Sequence, residues 1–460
     1  MNSIEDTIAA IATPLGEGGL AVIRISGKNA VPITDIYFRG KSSLSVSQTQ
    51  TAHFGSFRDE KGQIIDEVVA TVFLAPNSFT GEDVVEISCH GGIFIQKKIL
   101  STLIMSGARL AEPGEFSKRR FLNGKIDLSQ AEAIADLIHS RSEFSHHASL
   151  NQLKGKLSEQ ITAIRNSLLD LCGLLELELD FVEEGYEFTD RTKLETEIRL
   201  AIHKIDELLT SFNIGKYYRE GVKIVITGSP NSGKSSIFNA LLDENRAIVT
   251  EIPGTTRDVI EGELIIGGTL FRFLDTAGIR ETSDVIEAEG VRRSYEHISS
   301  ANLVLKVFDC SVRDFKEGID IELIKSNPRF NSIVIVNKID LLSEKTKYIL
   351  EKNYLKESIV FVSALNHIGI DILQKEILKK TVFENGEMFN SNAVTNIRHK
   401  QLLERSKEKL ELSLNSLPNL SSELLVVDIR SAMNYLGEIV GAVTNEELLN
   451  NIFSKFCIGK

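Results

Sequence analysis

The chain has 460 residues, 42% apolar and 25% charged, with a formal charge of −12, which suits roughly three globular domains and excludes a disordered or fibrous chain. The longest apolar run, Val68 to Ala75, is far short of the ~18 residues of a membrane span, and the acidic start Met-Asn-Ser-Ile-Glu-Asp lacks the basic head of a signal peptide. Cys89, Cys172, Cys310 and Cys457 form no Cys-x-x-Cys pair, which excludes a zinc ribbon or disulfide scaffold and suits a reducing, cytoplasmic setting. Such an acidic chain does not coat polyphosphate indiscriminately, so a nucleic acid partner must meet a local basic patch or arrive with help.

In chain order, Leu20–Ile25, Val68–Leu74 and Val84–Ser88 are β-branched runs bounded by turn residues, and Ile93–Ser106 has helical spacing. Residues 1–118 therefore read as a small α/β domain. From Asp127, a candidate N-cap, the texture becomes helical: Leu128, Ala131, Ile134, Ala135 and Ile138 recur on one face. Helical patterning continues over Ile161–Leu179 and Leu194–Leu209. The acidic stretch between them, including Glu176, Glu178, Asp180, Glu183, Glu184, Glu187 and Asp190, reads as a solvated face and loop. Strand–loop–helix alternation starts at Val222 and lasts to about Thr381. Arg398–Leu414 and Leu424–Leu436 are helical again. The expected organisation is an α/β multidomain chain: residues 1–118, then a helical domain split into 119–218 and 382–460, with an α/β domain of 219–381 inserted.

Lys223–Thr227 is a buried-type strand, followed by Gly228-Ser-Pro-Asn-Ser-Gly-Lys-Ser235 and a helical run from Ile237. This is a P-loop in its required context: glycines let the backbone curl around phosphates, Lys234 reaches the β/γ oxygens, and Ser235 ligates Mg²⁺. Phe271–Gly278 is a strand ending in Asp275-Thr-Ala-Gly278, where Asp275 can hold Mg²⁺ through water and the Gly278 amide can sense the γ-phosphate. Ser332–Asp340 delivers Asn337, Lys338 and Asp340 to a loop; a carboxylate there accepts the guanine N1–H and N2–H₂, which adenine does not offer. Ile359–Leu365 ends in Ser363-Ala364, suited to the guanine O6. These elements define a GTPase domain with a mainly parallel sheet, to which a Gly267-Gly268 hairpin adds one antiparallel strand. Ile279 stands where Ras-type enzymes carry the water-orienting glutamine. The loop Thr250-Glu-Ile-Pro-Gly-Thr-Thr-Arg-Asp258, with Asn231, offers oxygens that can hold a monovalent cation; a flexible switch loop with an ordinary threonine is the alternative.

Asn231 together with Gly254-Thr-Thr-Arg-Asp258 resembles the potassium-activated GTPases. Pro113-Gly-Glu-Phe116, Phe121-Leu-Asn-Gly-Lys-Ile-Asp-Leu128, Gln130-Ala-Glu-Ala133 and Phe456-Cys-Ile-Gly-Lys460 resemble, over essentially the whole chain, the MnmE (TrmE) family of tRNA modification GTPases. That resemblance implies an N-terminal folate-binding and dimerisation domain, a split helical domain and an inserted Ras-like P-loop G domain. It implies a homodimer that, with the flavoprotein MnmG in a heterotetramer of two copies each, adds a carboxymethylaminomethyl or aminomethyl group at C5 of the wobble uridine of certain tRNAs. The one-carbon unit comes from a tetrahydrofolate, and K⁺-dependent pairing of G domains accompanies hydrolysis.

Carried over by position, the GTP-binding residues are Asn231, Ser232, Gly233, Lys234, Ser235, Ser236, Thr250, Glu251, Ile252, Pro253, Gly254, Thr255, Thr256, Asp275, Thr276, Ala277, Gly278, Asn337, Lys338, Asp340, Ser363 and Ala364. Asn231, Thr250, Ile252 and Thr255 hold K⁺; Ser235 and Thr256 hold Mg²⁺. Lys234 and Glu287 are catalytic, Glu287 by orienting the attacking water, with Glu281 and Glu289 as nearby rivals. Arg24, Glu86, Lys125 and Lys460 bind 5-formyl-tetrahydrofolate or a related folate, and Cys457 lies near that pocket. Cys457-Ile-Gly-Lys460 does not fit a prenylation box. His146-His147 lack metal-ligand spacing and read as solvent-facing. A ribosome-assembly GTPase and a membrane-remodelling GTPase are the alternatives; the sequence carries neither a GXXG loop in a KH context nor a basic amphipathic or lipidated segment.

Overall fold

The structure is a computed structural model that describes residues 6–180, 191–244, 260–274, 301–312, 331–343, 359–381, 393–417 and 422–459. The chain divides into two compact units, one made of residues 1–135, 152–201 and 405–460, the other of 136–151 and 202–404.

The first unit opens with β1 (Ile8–Ile11), β2 (Gly18–Ser26), α1 (Ala30–Tyr37), β3 (Phe38–Gly40), β4 (Thr51–Arg58), β5 (Ile64–Phe73), β6 (Val84–Gly91), α2 (Ile93–Met105) and β7 (Arg109–Leu110). The strands form one seven-stranded sheet in the order β3-β4-β5-β6-β2-β1-β7, antiparallel except where β7 runs parallel to β1. Alternation fixes which face is core: Ala21, Ile23 and Ile25 of β2 and Val68, Ala70 and Val72 of β5 are buried with Ile99 and Leu103 of α2. The same alternation turns Arg24 the other way, and the β2–β6 register sets it directly opposite Glu86.

The helices that follow are α3 (Glu115–Leu122), α4 (Leu128–His139), α5 (Glu143–Leu153), α6 (Lys156–Asp180) and α7 (Arg191–Glu220). Asp127 caps α4 as expected, and reciprocally: the Gln130 amide donates to its Oδ1 and its own amide donates to Gln130 Oε1, both at 2.9 Å. In α6 the buried residues Ile161, Ile164, Leu168, Leu171 and Leu175 follow the helical period. Of the acidic stretch, Glu183, Glu184, Glu187 and Asp190 lie outside the described residues, and one residue departs from the expected solvated face. Glu178 is buried, 3.9 Å from Arg191, and Glu176 accepts from Arg430.

The second unit carries β8 (Val222–Gly228), α8 (Lys234–Glu244), β9 (Ile260–Ile266), β10 (Thr269–Leu274), β11 (Leu303–Asp309), β12 (Ser332–Asn337), β13 (Ile359–Phe361) and α9 (Ile370–Thr381). Its six-stranded sheet has the order β13-β12-β11-β8-β10-β9, parallel except for β9, which hairpins onto β10 through Gly267 and Gly268 at φ 54° and 79°. Two successive left-handed residues are what such a two-residue turn demands. The sheet's apolar runs, among them Ile224, Ile226, Leu305 and Ile335, are buried against Ile237 and Leu241 of α8 and Leu373 and Ile377 of α9. The chain ends through α10 (Ile397–Ser416), α11 (Ser422–Val440) and α12 (Glu446–Phe453). In the first unit α11 packs along α6.

A buried ionic network fixes α3 to the first sheet. Arg119, 4% exposed, pairs with Asp6, Glu82 and Glu115, while Arg109 pairs with Asp6 and Glu115. Burial alone would raise the Asp6 and Glu115 pKa values, but the hydrogen bonds and charges of Arg109 and Arg119 outweigh it and hold both below their ordinary values. A carboxyl depressed on folding contributes stability that is complete above its unfolded pKa and is lost as pH falls through the folded one. Arg119→Met, which strands the carboxylates, is expected to cost about 3–5 kcal/mol at pH 7. In urea unfolding the deficit should narrow below about pH 4, where the parent also protonates these groups; a deficit independent of pH would contradict the ionic origin.

Candidate functional site

The second unit gathers its chemistry at the carboxyl ends of the parallel strands, where α/β sheets bind ligands. Gly228 ends β8, Asp309 ends β11 and Asn337 ends β12, with Asp309 paired to Asn337 in register. The P-loop curls out of β8 with Asn231 left-handed at φ 62° and Gly233 at φ 94°, and α8 starts at Lys234. Gly233 has to be glycine: a Cβ there would stand 2.1 Å from Asn337 Nδ2. Asn337 uses that closeness. Its Nδ2 donates to the Ser232 carbonyl at 3.0 Å, and its Oδ1 accepts the Ala364 amide at 3.2 Å.

Lys234 Nζ donates to the carbonyls of Gly228 and Ser229 at 2.9 and 3.0 Å, which keep the ammonium over the phosphate loop. The buried Ser232 hydroxyl has no partner among the described residues. Asn231, Ser235 and Ser236 are exposed at the loop and first turn of α8. Their neutral oxygens are the hard donors that Mg²⁺ and K⁺ accept, and the helix N-terminus favours anions.

The loop of Asn337, Lys338 and Asp340 is held from below. Lys338 is left-handed at φ 65°; its ammonium pairs with Asp309, and its carbonyl accepts from the Cys310 thiol at 3.0 Å. Burial would raise the Asp309 pKa, but the Lys338 ammonium and the Ser311 hydroxyl and amide hold it below the usual range. Asp340 is exposed and accepts from the Ser363 hydroxyl. The structure thus brings together Asn231 to Ser236, Asn337, Lys338, Asp340, Ser363 and Ala364. Asp309 was not singled out from the sequence, although the run Leu303–Asp309 ending in Asp was a readable signal. Thr250, Glu251, Ile252, Pro253, Gly254, Thr255, Thr256, Asp275, Thr276, Ala277, Gly278, Glu287 and Lys460 lie outside the described residues.

The first unit holds a second constellation. Arg24 makes two bonds to Glu86 Oε1, at 2.9 and 2.7 Å, and donates to the Gly459 carbonyl at 3.2 Å. Its guanidinium lies 5.0 Å from the Phe79 ring centroid and 5.6 Å from that of Phe116. The loop carrying Phe79 is pinned: Asn123 donates to the Thr80 carbonyl at 2.8 Å, and Glu82 accepts from Ser26 at 2.7 Å and from Arg119. Lys125 extends over Gly81, whose added Cβ would meet its Cε at 3.0 Å.

Residues 453–459 close this site. Gly114 (φ 69°) donates to the Cys457 carbonyl at 3.3 Å, and a Cβ on Gly114 would stand 2.5 Å from the Phe453 carbonyl. Cys457 itself is exposed. An arginine–carboxylate pair flanked by aromatic rings and a lysine suits a planar, hydrogen-bonding ring with an anionic tail, so the donor set fits a folate. Phe79 and Asn123 carry this geometry without having been singled out individually from sequence.

Two family descriptions match the chain: the MnmE helical domain over residues 128–457 and the GTP-binding protein TrmE N-terminus over residues 7–125. The tRNA modification GTPase MnmE of Flavobacterium johnsoniae is 44% identical, covering 99% of each chain. Its counterpart in Cytophaga hutchinsonii is 46% identical over 99% of this chain and 98% of that one, and that of Aquifex aeolicus is 44% identical over 99% and 100%. Among solved structures, Era in complex with MgGDPNP and a segment of 16S ribosomal RNA is 28% identical over 41% of this chain and 66% of that one, with a TM-score of 0.28. With a P-loop assembled on its second sheet and relatives of one kind matched over nearly their whole length, the chain belongs to the MnmE family of tRNA modification GTPases.

Proposed function

We propose that the protein couples GTP hydrolysis to the addition of a carboxymethylaminomethyl or aminomethyl group at C5 of the wobble uridine of certain tRNAs. It does so in the cytoplasm as a homodimer, with the flavoprotein MnmG in a complex of two copies each. The observation that carries this reading is the presence, in one chain of this family, of a P-loop site and a separate Arg24–Glu86 pocket suited to folate. Residues 1–118 bind folate and dimerise, 119–218 with 382–460 form the helical domain, and 219–381 hydrolyse GTP. Mass analysis of wobble nucleosides in tRNA from a strain lacking the gene tests the whole reading: the C5 substituent should disappear, and its retention with no second gene copy would refute it.

In the nucleotide site Lys234 holds the β/γ-phosphate oxygens and Asp340, oriented by Ser363, accepts the guanine N1–H and N2–H₂. Ser235 and Thr256 would hold Mg²⁺, and Asn231, Thr250, the Ile252 carbonyl and Thr255 would hold K⁺. Bound there, the cations neutralise charge developing on the phosphoryl group. Glu287 orients the attacking water. In the other site Arg24, Glu86, Lys125 and Lys460 hold the folate, whose chemistry is donation of a one-carbon unit. The exposed Cys457 lies beside it.

Asp340→Asn should weaken GTP about a hundredfold or more and turn the preference toward xanthosine triphosphate, because the amide sets a donor against guanine's donors. A nucleotide titration with unchanged GTP affinity would assign base reading elsewhere. Turnover should be well above the Na⁺ level in K⁺ at matched ionic strength. Glu287→Ala should lower kcat with little change in GTP affinity, since the side chain acts on water. Equal rates in the two salts would remove the cation from the reading, and a normal kcat in the variant would remove Glu287.

A further inference from the structure

Arg120 has no role in the function described so far, and its surroundings are unusual for an arginine. Its guanidinium carbon lies 4.7 Å from the centroid of the same Phe79 ring that Arg24 approaches at 5.0 Å. Its Nε is buried without a hydrogen-bond partner, and the side chain has no ion-pair partner among the described residues. Burial alone pushes its pKa below the ordinary arginine value, although a guanidinium stays protonated at neutral pH. Removing a charge from water without pairing it is costly. Every neighbouring arginine has avoided that cost. Arg24 has Glu86, and Arg119 has Asp6, Glu82 and Glu115. Glu82, in the Phe79 loop itself, is committed to Arg119 and Ser26.

Lys125 adds a further cation beside Gly81, and its amide donates to the Arg120 carbonyl at 3.0 Å, so one turn carries both. On a chain of net charge −12, cations gathered on the Phe79–Gly81 loop outnumber the carboxylates available to them. We propose that Arg120 is an anion-holding residue of the folate pocket and takes a carboxylate of the folate's glutamyl tail. This rests on the folate reading above and goes beyond it by naming which part of the ligand a further residue recognises. Phe79 has the guanidinium groups of two arginines within about 5 Å of its ring, and a guanidinium fork can pair with a carboxylate bidentately.

The test is calorimetric titration of the full chain and of Arg120→Gln with two ligands: 5-formyl-tetrahydrofolate, and 5-formyl-6-methyltetrahydropterin, which keeps the ring and lacks the benzoyl-glutamate. Arg120→Gln should bind the folate about ten- to a hundredfold more weakly and the pterin as the parent does, with Arg120→Lys in between. It should melt no lower than the parent, because a partly buried charge with no ion-pair partner among the described residues has been removed. Unchanged folate affinity in Arg120→Gln, equal loss of folate and pterin binding, or collapse of the fold would each overturn the assignment. Loss of tRNA binding with folate binding intact would reassign the anion to an RNA phosphate and overturn it as well. A parent protein that binds no folate would instead sink the underlying folate reading, a result distinct from all of these.

Discussion

Asn337 has one carboxamide, and both of its ends are committed to backbone in other loops: the nitrogen to Ser232 in the P-loop, the oxygen to Ala364 in the loop after β13. The P-loop and the Asn337–Asp340 loop are far apart in sequence, 105 positions at this bond. The bond fixes their separation in the fold. The carboxamide is the spacer, and it fits because Gly233 lacks a Cβ. Leucine at 337 would leave a buried amide and carbonyl without partners, and aspartate would have no donor for the Ser232 carbonyl. Below it, Asp309 ties down Lys338 in a left-handed conformation that a lysine seldom adopts. The Lys338–Asp340 loop is thus built from strand ends and their mutual hydrogen bonds.

The first unit solves a different problem with the same economy of side chains. The Arg24 constellation draws on β2, β6, the Phe79 loop, α3 and residues 456–459, which are distant in sequence. Backbone contact replaces side-chain bulk where segments cross. Gly114 admits the Phe453 carbonyl, and the positive-φ Gly459 sits against the Ile11 carbonyl, where a Cβ would stand at 2.5 Å. Glycine is what permits both approaches. The Pro-Gly-Glu-Phe and Phe-Cys-Ile-Gly motifs are therefore two halves of one junction, with Glu115 anchoring α3 through the arginine network and Phe116 lying against Arg24.

Periodicity made much of this architecture legible. The β-branched runs became β2, β5 and β6. The helical runs became α2, α4, α6, α7, α10 and α11. The Gly267-Gly268 turn produced the antiparallel strand. What stayed hidden has physical reasons. β4 reads Thr-Ala-His-Phe-Gly-Ser-Phe-Arg, with glycine and serine where a strand signal wants branched residues; it exists because β5 pairs along its length. α7 runs past the apolar pattern to Glu220 and includes Gly215, a poor helix residue kept where the Val394 carbonyl approaches so closely that a Cβ would stand 2.2 Å away. Glu178 read as solvated because charge runs usually are; tertiary packing buried it. At the sites, motif residues were visible while their supports were not. Phe79 packs on Arg24 across a distance in sequence that only the folded chain closes.

The bond from Arg24 to the Gly459 carbonyl spans 435 positions in the chain. Protein synthesis is vectorial, at about 5–20 residues per second. The Arg24–Glu86 pair can therefore form while most of the chain is still unmade, and tens of seconds pass before the segment that covers it emerges. During that interval the Arg24–Glu86 pair exists without its contact to Gly459. Completion of the constellation is tied to completion of everything in between, including the whole second unit. A truncated product would carry an unfinished pocket, so a translation failure almost anywhere downstream of β6 is reported at the first unit's own site.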